Sequence, residues 1–176
     1  RLSQAIVLHH RGLPPLDLTR LRLVHGDPKI SNLMFDAAGQ GVCLVDLDTL
    51  ARAPLAYELG DAFRSWCNPG LEDAPQAAFS AELFSAALGG YARAGHLFMT
   101  AGECAAVVPA TAAVYLELAA RFAADALNES YFGWSAERYA SRGEHNLARA
   151  RNQLAAADDL LAQWPALLAM TARVLG

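Results

Sequence analysis

Four polar side chains lie within eight residues of one another, between two apolar segments of the chain. Residues 24–36 read VHGDPKISNLMFD, and the polar positions are His25, Asp27, Lys29 and Asn32. Such groups are costly beside apolar segments unless they are partnered or used. Lys29 is the single lysine beside thirteen arginines, and its compact ammonium fits against a phosphate oxygen where a broad guanidinium does not.

The segment that follows, NLMFD-AAGQG-VCLVD, predicts a β-hairpin with apolar arms and a glycine-containing turn. Symmetrical pairing around the turn places Asn32 opposite Asp46, Leu33 opposite Val45 and Phe35 opposite Cys43. Asn32 and Asp46 then meet at the open end, and Asp27 lies in the loop entering the first arm. An amide oxygen and carboxylates of this kind are ligands for Mg²⁺ that also holds substrate phosphates.

This set of groups is what phosphoryl transfer requires. One carboxylate positions and deprotonates the attacking hydroxyl, other oxygens hold magnesium, and a lysine offsets charge on the phosphoryl group. The alternative is an ordinary turn and hairpin with polar caps.

The rest of the chain is predicted to be mostly helical. Helices are expected at residues 3–12, from 73 to about 95, over 101–128 with a break or new start at Pro109, over 144–163, and after Pro165; a short strand is expected at 21–25. We therefore predict one domain over residues 1–176, mainly α with a small β-hairpin.

Composition excludes several classes of function. The net charge of −4 offers no broad basic surface for nucleic acid or an anionic membrane. Apolar runs look short and interrupted by charge, so we expect no transmembrane helix. The three cysteines lie far apart, which favours reduced thiols in a cytoplasmic protein.

Two motifs carry a resemblance to a known superfamily. HGDPKISN resembles the catalytic loop of protein-kinase-like enzymes, and VDLDT resembles the segment that holds their metal-binding aspartate. Glycine in the loop and Asp-Leu-Asp after the hairpin resemble the aminoglycoside phosphotransferase and choline kinase branch. Within it, DLDT followed by YELGDAFRS, and the later RFAADALNESYF…EHNLARARNQL, are similar to N-acetylhexosamine kinases. The similarity runs from about Leu23 to Leu154.

The resemblance implies a role for each matching residue. Asp27 corresponds to the catalytic base, and Lys29 to the loop lysine that approaches the transferred phosphate. Asn32 and Asp46 correspond to the Mg²⁺ ligands. The remaining implied roles are structural support of the loop by His25 and Asp61, and contact with substrate by Asp48 and Arg121. For Arg121 the favoured interpretation is structural, because Glu117, Arg121 and Asp125 lie four apart and suit surface ion pairs along a helix.

The resemblance also implies the fold: the C-terminal, helical lobe of the kinase-like α+β fold. The N-terminal lobe, whose loop and lysine clamp the ATP phosphates, has no counterpart before Leu23. We therefore expect this chain alone to be inactive, and its exposed lobe interface to be partly apolar and capable of self-association.

The function implied is transfer of the γ-phosphoryl group of ATP, with Mg²⁺, to a hydroxyl of a small molecule, foremost a sugar or amino sugar. The alternatives are an aminoglycoside- or choline-type kinase, which an acid-rich pocket would favour, and a non-catalytic kinase-like binding module. The presence of base, lysine and both metal ligands argues against the last.

Overall fold

The computed structural model describes residues 1–176, except for the side chain of His96. It is 61% helical with two short antiparallel strand pairs, which confirms the mainly-α prediction with a small β component. The helices are α1 Leu2–Gly12, α2 Leu55–Trp66, α3 Ala81–Gly95, α4 Ala101–Asn128, α5 Arg142–Ala162 and α6 Trp164–Leu175. The strands are β1 Leu21–Val24, β2 Leu33–Phe35, β3 Gly41–Leu44 and β4 Ala51–Pro54.

Helix α4 is the centre of the fold, packed against α1, α2, α5 and α6. It begins with a capping box, in which Thr100 and Glu103 each accept a backbone N–H of the other. The break considered at Pro109 is wrong, because α4 continues through this proline. Pro109 lacks a backbone N–H for the helical ladder, and it lies buried inside α4.

The expectation of no transmembrane helix was based on short apolar runs, but α4 is long and largely apolar. Residues Ala101–Asn128 are long and apolar enough, by length and composition alone, to cross a bilayer. The helix instead supplies much of the core, where Val107, Tyr115 and Leu116 are fully or almost fully buried. Core helices buried on several sides share this composition with membrane spans.

The hairpin β2–β3 is confirmed, but its predicted register is wrong by one residue at Leu33 and by two at Phe35, which faces Gly41. Leu33 faces Leu44 and Met34 faces Cys43, with an irregularity before Phe35. The turn is not symmetrical, because the Asp36 carboxylate accepts the backbone N–H groups of residues 38 and 40. Gly39 takes the left-handed conformation that closes this turn, with φ of 74°.

One strand next to the hairpin has no counterpart in the sequence prediction. Strand β4 pairs with β1, with Leu21 facing Pro54 and Val24 facing Ala51. The chain then turns directly into α2, which packs against α4. Helix α3 also begins later than predicted, at Ala81, because residues before it follow α5, where the Phe79 N–H donates to Asp159.

A bidentate ion pair fixes β1 to the start of α4. Arg22 donates from Nε to Glu103 Oε1 at 2.6 Å and from Nη2 to Oε2 at 2.7 Å. Hydrogen bonds from Arg22 lower the pKa of Glu103 from 4.5 to about 2. The strand that leads into the polar loop is thereby held against the central helix.

Close contact between α2 and α4 depends on Gly60. A Cβ atom at this position would lie 2.8 Å from the Ala110 carbonyl oxygen, so Gly60→Ala forces the helices apart. We expect a loss of about 1–3 kcal/mol in the free energy of unfolding, measured by denaturant titration. Gly89→Ala is the matched control, since its Cβ meets no atom within 4 Å, and we expect it to stabilise α3 by about 0.5–1 kcal/mol. A Gly60→Ala protein as stable as the unmodified chain would contradict the close-packing explanation.

Candidate active site

The 25–32 loop joins β1 to β2 and is braced by the buried ring of His25. Its Nδ1 accepts the backbone N–H of Asp27 at 3.3 Å, and its Nε2 lies 2.9 Å from the Val45 carbonyl oxygen. Since Nδ1 accepts, Nε2 carries the proton and donates to Val45. The ring thus ties the loop to the end of β3.

Gly26 allows the loop to pass close to the segment after the hairpin. Its φ is +86°, and a Cβ atom there would lie 2.6 Å from the Thr49 carbonyl oxygen. The Thr49 hydroxyl donates to the His25 carbonyl at 2.8 Å. Glycine at the second position of the motif is therefore required by both conformation and space.

Helix α2 holds the backbone of the loop, chiefly through Glu58. The Glu58 carboxylate accepts the N–H of His25 at 3.0 Å and that of Gly26 at 2.9 Å. Further along, Trp66 Nε1 donates to the Pro28 carbonyl at 2.8 Å. The support predicted from Asp61 thus comes from Glu58, one turn earlier, because Asp61 accepts from Arg64 Nε at 2.8 Å.

Asp27 lies at the surface of the loop, beside Lys29 and Asn32. Lys29 Nζ donates to Asp27 Oδ2, and Asn32 Nδ2 donates to the Asp27 carbonyl oxygen at 2.9 Å. The Asp27 side chain is 29% exposed and that of Lys29 is 40% exposed, so both remain accessible to a ligand. Asn32 is buried, and its amide nitrogen is directed to Asp27, which turns its Oδ1 away from that residue.

The hairpin places Asn32 and Asp46 at the same end. The Val45 N–H donates to the Asn32 carbonyl at 3.0 Å, so Asp46 follows directly beside Asn32. Asp46 has a left-handed backbone, with φ of 66°, and both Asp46 and Asp48 are exposed. Among the described side chains, neither carboxylate takes part in a salt bridge with a basic group, in contrast to Asp27.

A cleft of about 980 Å³ opens beside Asp27 and Lys29. One wall comes from α2, with Tyr57, Asp61 and Arg64, and the other from α4, with Glu117, Leu118 and Arg121. The 129–141 loop covers a third side with Tyr131, Phe132 and Trp134. Asp27 and Arg121, predicted from distant motifs, therefore line the same cleft.

Arg121 does not form the full ion-pair ladder considered from the sequence. Its Nη1 lies 3.9 Å from Glu117 Oε1, while its guanidinium lies over the rings of Tyr131 and Phe132 at 5.7 and 5.5 Å. Asp125 turns inward instead and accepts the backbone N–H groups of residues 130–132. Despite burial, these hydrogen bonds hold the pKa of Asp125 below its usual value.

The 129–141 loop is anchored by a second histidine that the sequence argument did not single out. His145 Nδ1 accepts the Ser135 N–H at 3.1 Å, so Nε2 donates to Asp73 Oδ2 at 2.7 Å. Burial is the main cause that lowers the pKa of His145 and favours this neutral ring. The signal in the sequence was the segment EHNLARARNQL, but the partner Asp73 lies 72 residues away.

Glu58→Gln tests whether α2 positions the loop. Glutamine places an NH₂ group against one of two backbone N–H groups, which leaves a buried donor without an acceptor. We expect faster amide exchange at His25 and Gly26 in the 176-residue chain, and, in the protein extended at its N-terminus, a fall in kcat of about tenfold to a hundredfold because Asp27 moves. Glu82→Gln, at the exposed first turn of α3, is the matched control and should change neither quantity. Unchanged amide exchange in Glu58→Gln would show that the carboxylate does not hold the loop.

The sequence profile of the APH phosphotransferase enzyme family matches residues 1–97. This is just over half of the 176 residues. The match includes the 25–32 loop, both strand pairs and the whole of α2. It ends before α4, so the Arg121 side of the cleft lies beyond the matched segment.

Proposed function

This chain belongs to the APH phosphotransferase enzyme family, and from that premise we propose that it transfers the γ-phosphoryl group of ATP to a hydroxyl of a small molecule. The observation that carries the proposal is the placement of Asp27 at a cleft of about 980 Å³, on a loop fixed from two sides. A cleft of this size suits a small acceptor. The 25–32 loop is the part of the C-terminal, helical lobe that presents the base.

In this proposal Asp27 is the general base. Its Oδ2 is engaged by Lys29 and, at 3.3 Å, by Asn32 Nδ2, so Oδ1 is the oxygen that receives the proton of the acceptor hydroxyl. His25 and Glu58 fix the backbone on either side, which keeps the carboxylate aimed during the reaction. Lys29 supplies a positive charge where charge develops on the transferred group.

The residues present fit a magnesium ion that accompanies ATP. Asn32 Oδ1 and the exposed Asp46 carboxylate are hard oxygen donors at one end of the hairpin, and Mg²⁺ uses few protein ligands when phosphates supply the rest. When bound, the ion neutralises phosphate charge and orients the donor. Asp48, two residues further on and also exposed, is proposed to contact the substrate.

An N-terminal lobe is proposed to cover the β-strand side of this lobe. Large apolar side chains are exposed there, including Leu23 at 73%, Val42 at 61% and Leu47 at 54%. Apolar exposure of this extent is typical of a surface that another body covers. The same surface supports self-association when the covering lobe is absent.

A sugar or amino sugar is the proposed acceptor class, from the similarity of DLDT and YELGDAFRS to N-acetylhexosamine kinases. An aminoglycoside- or choline-type acceptor is the alternative. A phosphorylation screen of monosaccharides, amino sugars, choline and aminoglycosides tests this, with the protein extended at its N-terminus and ³²P transfer from ATP as readout. Transfer to a sugar that requires Asp27 supports the proposal; ATP binding without transfer to any acceptor favours a non-catalytic module.

A further inference from the structure

The carboxylates that line the cleft are already matched by basic side chains. Among the described residues, four acidic side chains face five cationic ones: Asp27, Asp61, Glu72 and Glu117 against Lys29, Arg64, Arg121, Arg138 and Arg149. Asp27 pairs with Lys29, Asp61 with Arg64, and Glu72 with Arg64 at 3.3 Å and with Arg149 at 3.7 Å. A polycationic acceptor would have to displace these pairs, because the cleft is not acid-rich.

Of these cationic side chains, Arg121 makes the weakest polar contacts with other residues. Its side chain is 49% exposed, and its distance of 3.9 Å to Glu117 is too long for a hydrogen bond. The Arg121 guanidinium carbon lies 5.7 Å from the ring centre of Tyr131 and 5.5 Å from that of Phe132, two rings that stand perpendicular to each other. Among the described residues the Arg121 guanidinium donates no hydrogen bond, so its N–H groups are free to donate two parallel hydrogen bonds to an oxyanion.

The contact of Arg121 with Tyr131 and Phe132 also argues against an acceptor that carries a quaternary ammonium group. Such ligands are recognised by the faces of aromatic rings. Here the rings of Tyr131 and Phe132 are already covered by Arg121, which would repel a second cation. Nearby, Arg149 is also only partly neutralised, since Glu72 is shared with Arg64. Arg138, on the 129–141 loop, is neutralised by Asp73 at 2.6 Å, so the positive charge available to a ligand on this side of the cleft comes from Arg121 and Arg149.

We propose that the acceptor carries an anionic group, a carboxylate or a phosphate ester, which the guanidinium of Arg121 binds while the acceptor hydroxyl reaches Asp27. This inference rests on the proposed kinase function and narrows its substrate class. It assigns Arg121 as a specificity-determining residue, outside the segment that the family profile matches. Tyr131 and Phe132 position the guanidinium for this contact.

The test is equilibrium binding to the 176-residue chain, measured by isothermal titration calorimetry without ATP. The probes share one ring and differ in charge: glucose is neutral, glucosamine cationic, glucuronate a carboxylate and glucose 6-phosphate a phosphate ester. We expect at least one anion to bind about tenfold more tightly than both glucose and glucosamine. The two anions distinguish carboxylate from phosphate recognition.

Substitutions test whether the preference for an anionic probe depends on Arg121. Arg121→Gln should remove the preference for the anion, and Arg121→Lys should weaken it because an ammonium lacks the planar fork. Glu117→Gln should strengthen anion binding by removing the nearby negative charge. Arg93→Gln, on α3 outside the cleft, is the control and should leave the preference unchanged.

Three results would overturn the inference: tighter binding of glucosamine than of either anion, no measurable preference for an anion, or an unchanged preference in Arg121→Gln. These results are independent of the kinase proposal, which depends on Asp27-dependent phosphoryl transfer. Asp27-dependent phosphoryl transfer to a cationic acceptor would support the proposed kinase function and contradict the anionic acceptor. Anion binding that depends on Arg121, without Asp27-dependent transfer, would support the anion site and contradict the kinase function.

Discussion

Asp27→Asn is expected to lower kcat about a thousandfold while nucleotide affinity stays nearly unchanged. Asparagine keeps the size of the side chain but cannot accept the proton of the acceptor hydroxyl, and general-base catalysis contributes about 10²–10⁴-fold. The proposed metal ligands Asn32 and Asp46 are untouched, so binding of the nucleotide should persist. The measurement is steady-state phosphoryl transfer by the N-terminally extended protein, alongside calorimetric titration with ATP.

Two further variants help to interpret the fall in kcat expected for Asp27→Asn. Asp158→Asn is the matched control, because Asp158 is an acid on α5 that pairs with His9 and does not line the cleft. Lys29→Arg keeps the charge beside Asp27 but changes its shape, and should also reduce kcat. Near-normal kcat in Asp27→Asn, with the Asp158 control also normal, would show that Asp27 is not the base.

The second large effect is expected when the protein is extended at its N-terminus, and the quantity that changes is the rate of ATP turnover. A version extended at its N-terminus should turn over ATP thousands of times faster than the 176-residue chain, since loss of positional control alone removes several kcal/mol of barrier lowering. In the proposed arrangement, Asp27 and Lys29 lie on one side of the nucleotide cleft and the N-terminal extension supplies the other side. The apolar surface around Leu23, Val42 and Leu47 is where the extension should pack.

Turnover and ATP affinity of both forms provide the measurement, and sedimentation velocity reports whether the short chain self-associates. The extended protein carrying Asp27→Asn is the control that excludes a contaminating ATPase. Comparable kcat/KM for the two forms would refute the proposal that the N-terminal extension supplies part of the active site. Micromolar ATP binding by the short chain would count strongly against it.

The local features of this protein follow from its sequence with little ambiguity. The loop HGDPKISN and the hairpin after it are short-range structures, fixed by glycine conformation, turn chemistry and alternation. They suffice to place Asn32 and Asp46 at one end of the hairpin, even though the predicted register is off by one residue at Leu33 and by two at Phe35. The long apolar pattern of residues 101–128 likewise determines α4, since helical periodicity is read within a single segment.

The contacts that shape the cleft depend on packing between distant segments. Glu58 lies 33 residues from His25, and nothing in local periodicity distinguishes it from Asp61 as the group that holds the loop. Helical spacing favoured surface ion pairs for Arg121, whereas in the structure its guanidinium lies against Tyr131 and Phe132. Hydrogen bonds and ion pairs across such separations form only when helices pack in three dimensions, so spacing along the chain constrains them weakly.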